Sequence, residues 1–363
     1  MNRKMLFLSL LLSISMLFSA CGGNSETTSQ SSGAPEAAGE GGKKIAFITG
    51  TGGLGDKSFN DLGYEGIKQL EAEGIECDVA EPKAISEMEG LVRNFAENGS
   101  YALIVTMGGD SVDSANMVSV DYPEQPILVI DGLANNENIK SVMLSQTDTA
   151  FLVGAYAGLM EAEGNLEKSQ GKNTIGIVGG MDIPIIRSLV AGYEAGARYV
   201  NPDITVLATY VGAWNDPGKG SELAQSLYSQ GADIVFQAAG ASGMGVLEAS
   251  EKTGYYSIGY DGNQNSLYPE NVIASGARGV GDMVYTTAKD TLEGNFVGGD
   301  FTVSMKDDSA TSQLLTAESN VTTPEAVLNK LEKVKEFLVE AKVQIPNEPD
   351  GVDAYLKEVG TFE

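Results

Sequence analysis

The stretch KIAFITGTGGLGDKSFN, residues 44–60, decides how the rest of the chain is read. An apolar, partly β-branched run leads into Gly50, Gly52 and Gly55, spaced G-x-G-x-x-G, and a helix-like segment follows. That spacing is the written form of a dinucleotide-binding loop, which offers backbone N–H groups and a helix N-terminus to a pyrophosphate. Here Asp56 directly follows the last glycine and would repel such a dianion. Glu76 and Glu81 stand where the ribose-binding acid of that fingerprint could fall, so the spacing by itself leaves a nucleotide-dependent enzyme open.

Working outward, short apolar runs alternate with helix-like segments: ECDVAE, ALIVTMGG, PILVIDG and SVMLS, then TIGIVGG, TVLATYVGA, DIVFQAAG and YYSIGYDG. Runs this short, nearly continuous and rich in Ile and Val are what parallel strands covered on both faces require. Two consecutive series of this kind predict an α/β protein with two doubly wound parallel-sheet lobes. The elements after Asn271, namely VIASGAR, the helix GDMVYTTAKDTLEG and a helix from Pro324 to about Val343, are expected to cross back between lobes. The expected division is 43–148 plus about 279–300 for the first lobe and 149–278 plus about 301–363 for the second.

The N-terminus reads as a leader. Residues 1–20 place Arg3 and Lys4 before an apolar run that ends in Ser19 and Ala20, the layout of a secretory signal. Cys21 follows at once, and LFSAC resembles the lipobox of bacterial lipoproteins, with Phe18 where a smaller aliphatic is commoner. Residues 21–42 have almost no apolar side chains and suit a flexible tether. The expected placement is therefore the extracytoplasmic face of the cell membrane, anchored by lipid on Cys21. Cys77 is then alone, so about 320 residues must be held by apolar cores without a disulfide.

Composition excludes several chemistries. The chain has no histidine, which removes Ser-His-Asp and Cys-His nucleophile systems and the commonest zinc ligand. The formal net charge is -27, and loss of Arg3 and Lys4 with the leader makes it two units more negative. Such a surface repels nucleic acid and favours a neutral or cationic small ligand. No catalytic residue, cofactor or metal is expected.

In open α/β sheets ligands sit beyond the carboxyl ends of the strands. The residues there are GLGDKSFN (53–60), GGD (108–110), DG (131–132), SQTD (145–148), GMD (180–182), GAWND (212–216), AGASG (239–243) and YDGNQ (260–264). They are glycine-rich, with acids, amides and two aromatics interleaved, as a cleft for a polar ligand with a flat face would be.

The motifs GDKSFN, GGMDIPIIRSLVAGYEAGARYVNPDI, YVGAWNDPGKGSELAQSLYSQGADIVFQAAGASGMGV and IGYDGNQ closely resemble the basic membrane lipoprotein (BMP) family. These are the PnrA-like nucleoside-binding lipoproteins of bacterial ABC transporters, and the resemblance runs from about residue 44 to 300. It implies a type I periplasmic-binding-protein fold that captures nucleosides, purines foremost, and delivers them to a membrane permease. It assigns base stacking to Phe59, ligand bonding to Asn60, the second aromatic plate to Trp214, ribose binding to Asp261 and a backbone contact to Gly240. Asp56 and Asp131 join the candidate ligand set, as does Asp148; Asp131 and Asp148 equally suit helix caps. Where the family commonly has Lys in a late TS-x-x-K motif, this chain has ASGAR, which makes Arg278 the cation.

The reading is a lipid-anchored, monomeric binding protein that closes on a nucleoside and passes it to an ABC permease without catalysis. Its rivals are a monosaccharide-binding protein of the same fold, an extracellular nucleosidase or oxidoreductase, and a sensing or adhesive lipoprotein.

Overall fold

The computed structural model describes residues 44–163, 166–308 and 311–362; the leader, Cys21 and the tether lie outside these. Strand β1 (Lys44–Ile48) is followed by α1 (Phe59–Ala72), β2 (Cys77–Ala80), α2 (Met88–Asn98), β3 (Tyr101–Met107), α3 (Val112–Asp121), β4 (Ile127–Ile130) and β5 (Ile139–Leu144). The chain then passes into α4 (Gln146–Ala162), β6 (Thr174–Gly179), α5 (Pro184–Val200), β7 (Thr205–Tyr210), α6 (Pro217–Gln230), β8 (Ile234–Ala238), α7 (Gly243–Thr253), β9 (Tyr256–Asp261) and β10 (Val272–Arg278). The remaining elements are α8 (Val280–Leu292), β11 (Gly299–Val303), β12 (Ser312–Leu315), α9 (Glu325–Glu340) and α10 (Val352–Val359).

Two six-stranded sheets result, ordered β11-β5-β4-β3-β1-β2 and β12-β10-β9-β8-β6-β7. Every pairing is parallel except β10 with β12. The central strands are apolar on both faces because both faces are covered. On the first sheet, Phe47 and Val105 pack towards α1 and α8, while Ile48 and Ile104 pack towards α2 and α3. On the second, Ile177 and Phe236 face α4 and α5, and Val178 and Val235 face α6 and α7.

The chain crosses between sheets after β5, after β10 and after β11. Neither β11 nor β12 has the apolar run that marks the other strands. Both are edge strands, with one neighbour each, and need no two-sided apolar pattern.

Helix α4 begins at Gln146, four residues ahead of the apolar run at Ala150 that announces it in the sequence. Its N-cap Ser145 accepts a bond from Asp148 N, so the polar SQT segment opens the helix at a strand's carboxyl end. Glycines let α4 and α5 touch backbone to backbone: an ideal Cβ on Gly154 would sit 2.0 Å from Tyr193 O, and one on Gly196 1.9 Å from Phe151 O. That close crossing brings the first turns of both helices to one edge of the sheet. Among the described residues no helix is long and apolar enough to cross a membrane.

Candidate functional site

A cavity of about 590 Å³ opens where the carboxyl ends of the two sheets meet. Phe59, Asn60, Asp56 and Asp131 line it from the first lobe, and Trp214, Gly240, Asp261 and Arg278 line it from the second. Eight of the nine residues singled out in the sequence thus come together.

The glycine loop is closed upon itself. Gly50 N donates to Asn60 Oδ1 (2.8 Å), Leu54 N to Glu81 Oε2 (2.8 Å), and Gly55 N and Lys57 N to Asp61 (2.7 and 3.0 Å). Asp56 accepts from Ser58 N, Asn60 N and Asn60 Nδ2 at 2.9 Å each, and from Asp61 N at 3.1 Å. Burial pushes its carboxyl up from the ordinary value, and these donors work against that. Most of the N–H groups a pyrophosphate would need are already bound by the chain's own acids, which is why this loop is not a phosphate cradle. Asp56 is accordingly the buried brace of the turn: it caps α1 and orients the Asn60 amide.

With Asp56 doing the capping, the N-cap residue Ser58 is released. It makes no side-chain cap bond and instead donates its hydroxyl to Asp261 Oδ2 (2.6 Å) in the other lobe. Asp261 ends β9 and Asp131 follows β4, and both adopt left-handed φ values of +69° and +58°. That backbone region disfavours side chains other than Asn and Asp, and it turns each chain sharply at its sheet edge.

Arg278 ties these carboxylates together. Its Nε and Nη2 donate to Asp261 Oδ1 (2.8 and 2.5 Å), and Nη1 donates to Asp131 Oδ2 (2.7 Å). The guanidinium is also 5.6 Å from the Phe59 ring centroid and 5.1 Å from that of Tyr260, within cation–π range. Burial opposes its charge, but Asp131 and its neighbours outweigh that and hold it protonated. Burial pushes the Asp131 carboxyl up while Arg278 draws it down. A third bond across the lobes runs from Gln264 Nε2 to Lys57 O (2.8 Å).

Trp214 lies on the turn between β7 and α6. An ideal Cβ on Gly180 would sit 2.3 Å from Trp214 Cζ3, so only glycine there leaves space for the indole; Gly240, at φ +56°, lies beside the same ring. Ser242 fixes the loop: its Oγ donates to Ala213 O (2.8 Å) and accepts from Asp216 N (2.9 Å), and its N donates to Trp214 O (2.9 Å).

Asp148 is placed elsewhere. It does not line the cavity, and its Oδ2 accepts from Met305 N (2.9 Å) in the crossing segment after β11. Ser145 N also bonds to Val303 O (2.8 Å), so the first turn of α4 braces that crossing. A first-turn acid on α4 is turned to the connection because Ser145, Gln146 and Thr147 occupy the cavity edge.

Other lining residues were not singled out in the sequence, though several lie in the edges named there. Asp110, in the GGD edge, is raised by burial, with the Trp214 indole acting against that. Gln146 belongs to the SQTD edge, and Tyr260 directly precedes Asp261 but has the look of an inward strand residue. Ile183, Pro184 and Ile186 add an apolar wall, whose signal is the helix start after GMD. Gln344 and Asn347 arrive from beyond α9, and nothing in their local sequence marks them.

The family described as ABC transporter substrate-binding protein PnrA-like (Bmp) matches residues 43–346. The chain belongs to this family. Basic membrane protein D of Borreliella burgdorferi (strain JD1) is 30% identical over 328 residues, covering 86% of this chain and 91% of that protein. An uncharacterized lipoprotein of Pyrococcus abyssi is 29% identical over 310 residues, covering 82% of this chain and 73% of its own length. Among solved structures, an ABC transporter system solute-binding protein of Aeropyrum pernix K1 has a TM-score of 0.77 at 25% identity, over 87% of this chain and 97% of that one. The fold is that of the type I periplasmic binding proteins. As a member of the Bmp family, the chain is a solute-binding protein and not an enzyme, with a small-molecule ligand and a membrane permease as partner.

Proposed function

We propose that the cavity captures a nucleoside, purines foremost, and that the two lobes close on it before it passes to the permease. The observation that carries this reading is that Phe59 and Trp214, from opposite lobes, line one cavity together with buried, charge-paired acids. Aromatic plates suit a base whatever its edge, since every base has a π face. Carboxylates beside a guanidinium suit the hydroxyls of a ribose. Among the described residues, four lining acids, Asp56, Asp110, Asp131 and Asp261, against one lining cation, Arg278, disfavour a phosphate, so nucleotides are poor ligands. The leader and LFSAC support lipid attachment at Cys21 on the extracytoplasmic face, with the domain acting as a monomer.

The single tryptophan makes the test direct. The full chain, freed of carried-over ligand by unfolding and refolding, is titrated with nucleosides, nucleoside 5′-phosphates and ribose while Trp214 emission is followed. Saturable quenching by nucleosides is expected, with ribose and the phosphates silent. 2′-Deoxynucleosides should bind roughly 10-fold or more weakly, because a buried charged acceptor would lose its partner. Silence with every nucleoside and saturation with a sugar would place the protein with the monosaccharide binders of its fold.

A further inference from the structure

Two buried glutamines join the lobes behind the cavity wall. Gln237, in β8, and Gln264, just after β9, are 0% and 1% exposed, and neither lines the cavity. Ala239 N donates to Gln237 Oε1 (3.1 Å), Gln237 Nε2 donates to Gln264 Oε1 (2.8 Å), and Gln264 Nε2 donates to Lys57 O (2.8 Å) in the first lobe. Tyr260 N also donates to Gln264 Oε1 (3.0 Å). A backbone N–H only donates, so Ala239 and Tyr260 fix which end of each side-chain amide is the oxygen. The Gln264 nitrogen is thereby committed to Lys57 O.

The surrounding chain leaves room for both amides. An ideal Cβ on Gly243 would lie 1.9 Å from Gln237 Oε1, and one on Gly259 2.7 Å from Gln264 Oε1. Ser275 Oγ accepts from Gln264 N (3.0 Å) and donates to Asn265 Oδ1 (2.7 Å), which holds the Gln264 backbone in place. At the far end Lys57 has φ +51°, a region that a lysine seldom adopts. Both ends of the relay adjoin the ligand site. Ala239 lies between the lining residues Ala238 and Gly240, and Lys57 stands two residues before Phe59.

We propose that Gln264, backed by Gln237, is a positioning residue that holds the two lobes in the binding arrangement, tying the Phe59 segment of the first lobe to the Gly240 edge of the second. When the lobes part, the Gln264 amide loses Lys57 O in a buried setting, and an unmet buried donor is costly. Cutting the relay therefore lowers the population of closed lobes. A ligand that needs the closed form then binds more weakly by the fraction lost, and by the same factor whatever its base or sugar. A residue that touches the ligand discriminates between ligands instead. The inference rests on the nucleoside reading above for its ligands, and it adds a residue that acts without meeting them.

The test is Gln264→Met in the full chain, with Gln264→Asn, which keeps an amide but shortens its reach, standing in if the methionine variant does not fold. Wild type and variant are titrated with adenosine, inosine and 2′-deoxyadenosine while Trp214 emission is followed. The variant should bind each ligand about 5-fold more weakly, the scale of one lost hydrogen bond. A loss that differs between ligands, or no loss for any, overturns the proposal. Gln264→Glu tests rescue, because a protonated carboxyl can accept at one oxygen and donate to Lys57 O from the other. At about pH 5 it should bind close to wild type at the same pH, and binding as weak as that of Gln264→Met there overturns the proposal.

A second measurement needs no ligand. The same fall in the closed population should enlarge the radius of gyration of the ligand-free variant relative to wild type in small-angle scattering. Equal radii overturn the proposal. If wild type binds no nucleoside, the functional reading fails by itself, and the scattering comparison decides the relay.

Discussion

The floor and the mouth of the cavity are built on different principles. At the floor, Arg278, Asp131, Asp261 and Ser58 are all below 9% exposed and bond to one another across the two lobes. At the mouth, Phe59 and Trp214 are only part-buried, and Trp214 rests on a loop held by Ser242 with glycine beneath its ring. Buried charges tolerate no missing partner, so the floor is a fixed frame whose geometry the chain enforces. Stacking is non-directional around the ring normal, so on the proposed nucleoside reading the mouth adds affinity and leaves the identity of the base loosely specified. On that reading the floor sets register and the mouth supplies adhesion.

Breaking the floor should have the largest effect. Arg278→Met leaves Asp131 and Asp261 as buried like charges, and should cost about 3–5 kcal/mol of folding stability in urea unfolding. Adding Asp131→Asn and Asp261→Asn to that variant should recover much of the loss. A single variant that unfolds like wild type would show that solvent reaches the floor and that the frame is not buried charge.

Trp214→Ala probes the mouth. It should weaken nucleoside binding by roughly 1–3 kcal/mol, with Trp214→Phe retaining most of the affinity. Calorimetric titration measures both. An alanine variant that binds as well as wild type removes the second aromatic plate and with it the argument for a flat ligand.

The smallest effect sharpens the difference between a buried acid with a cation and one without. Glu161 is half-buried on α4, and burial, followed by the nearby Asp233, pushes it from 4.5 up to about 8. A carboxyl raised in the folded state favours folding fully below its unfolded value, and that contribution is lost as pH climbs towards the folded value. Stability should therefore decline between about pH 4.5 and pH 8. Glu161→Gln should flatten part of that decline, with variant and wild type alike near pH 5 and the variant more stable at pH 8. Identical melting curves against pH for the two proteins would remove Glu161 as the cause.

Some of the site could be read before any coordinates. An acid directly follows strand β4 and another ends strand β9, DG at 131–132 and YDG at 260–262, and a parallel strand's carboxyl end is where an α/β cleft lies. The glycines of residues 50–55 were equally visible, but not their use. The fingerprint spacing suits a phosphate, and only the bonds from Asp56, Asp61 and Glu81 reveal that the loop's donors are taken. Asp148 looked like its neighbours along the SQTD edge, yet a helix turn separates residues by about 100° each, and that rotation sends its carboxylate to Met305.

What the sequence determined by itself is the local grammar. Apolar runs set the strands, glycines and caps set the turns, and the lack of histidine narrowed the nucleophile and metal chemistries open to the chain. Those properties depend on residues close in the chain or on composition alone. The tertiary structure alone decided which acids share a cation. Arg278 and Asp131 are 147 positions apart and meet only because β10 and β4 bring their carboxyl ends to one cleft from different sheets. Side chains that meet across such a distance leave no period or spacing for a sequence to display, and the same holds for Gln344 and Asn347 at the cavity wall.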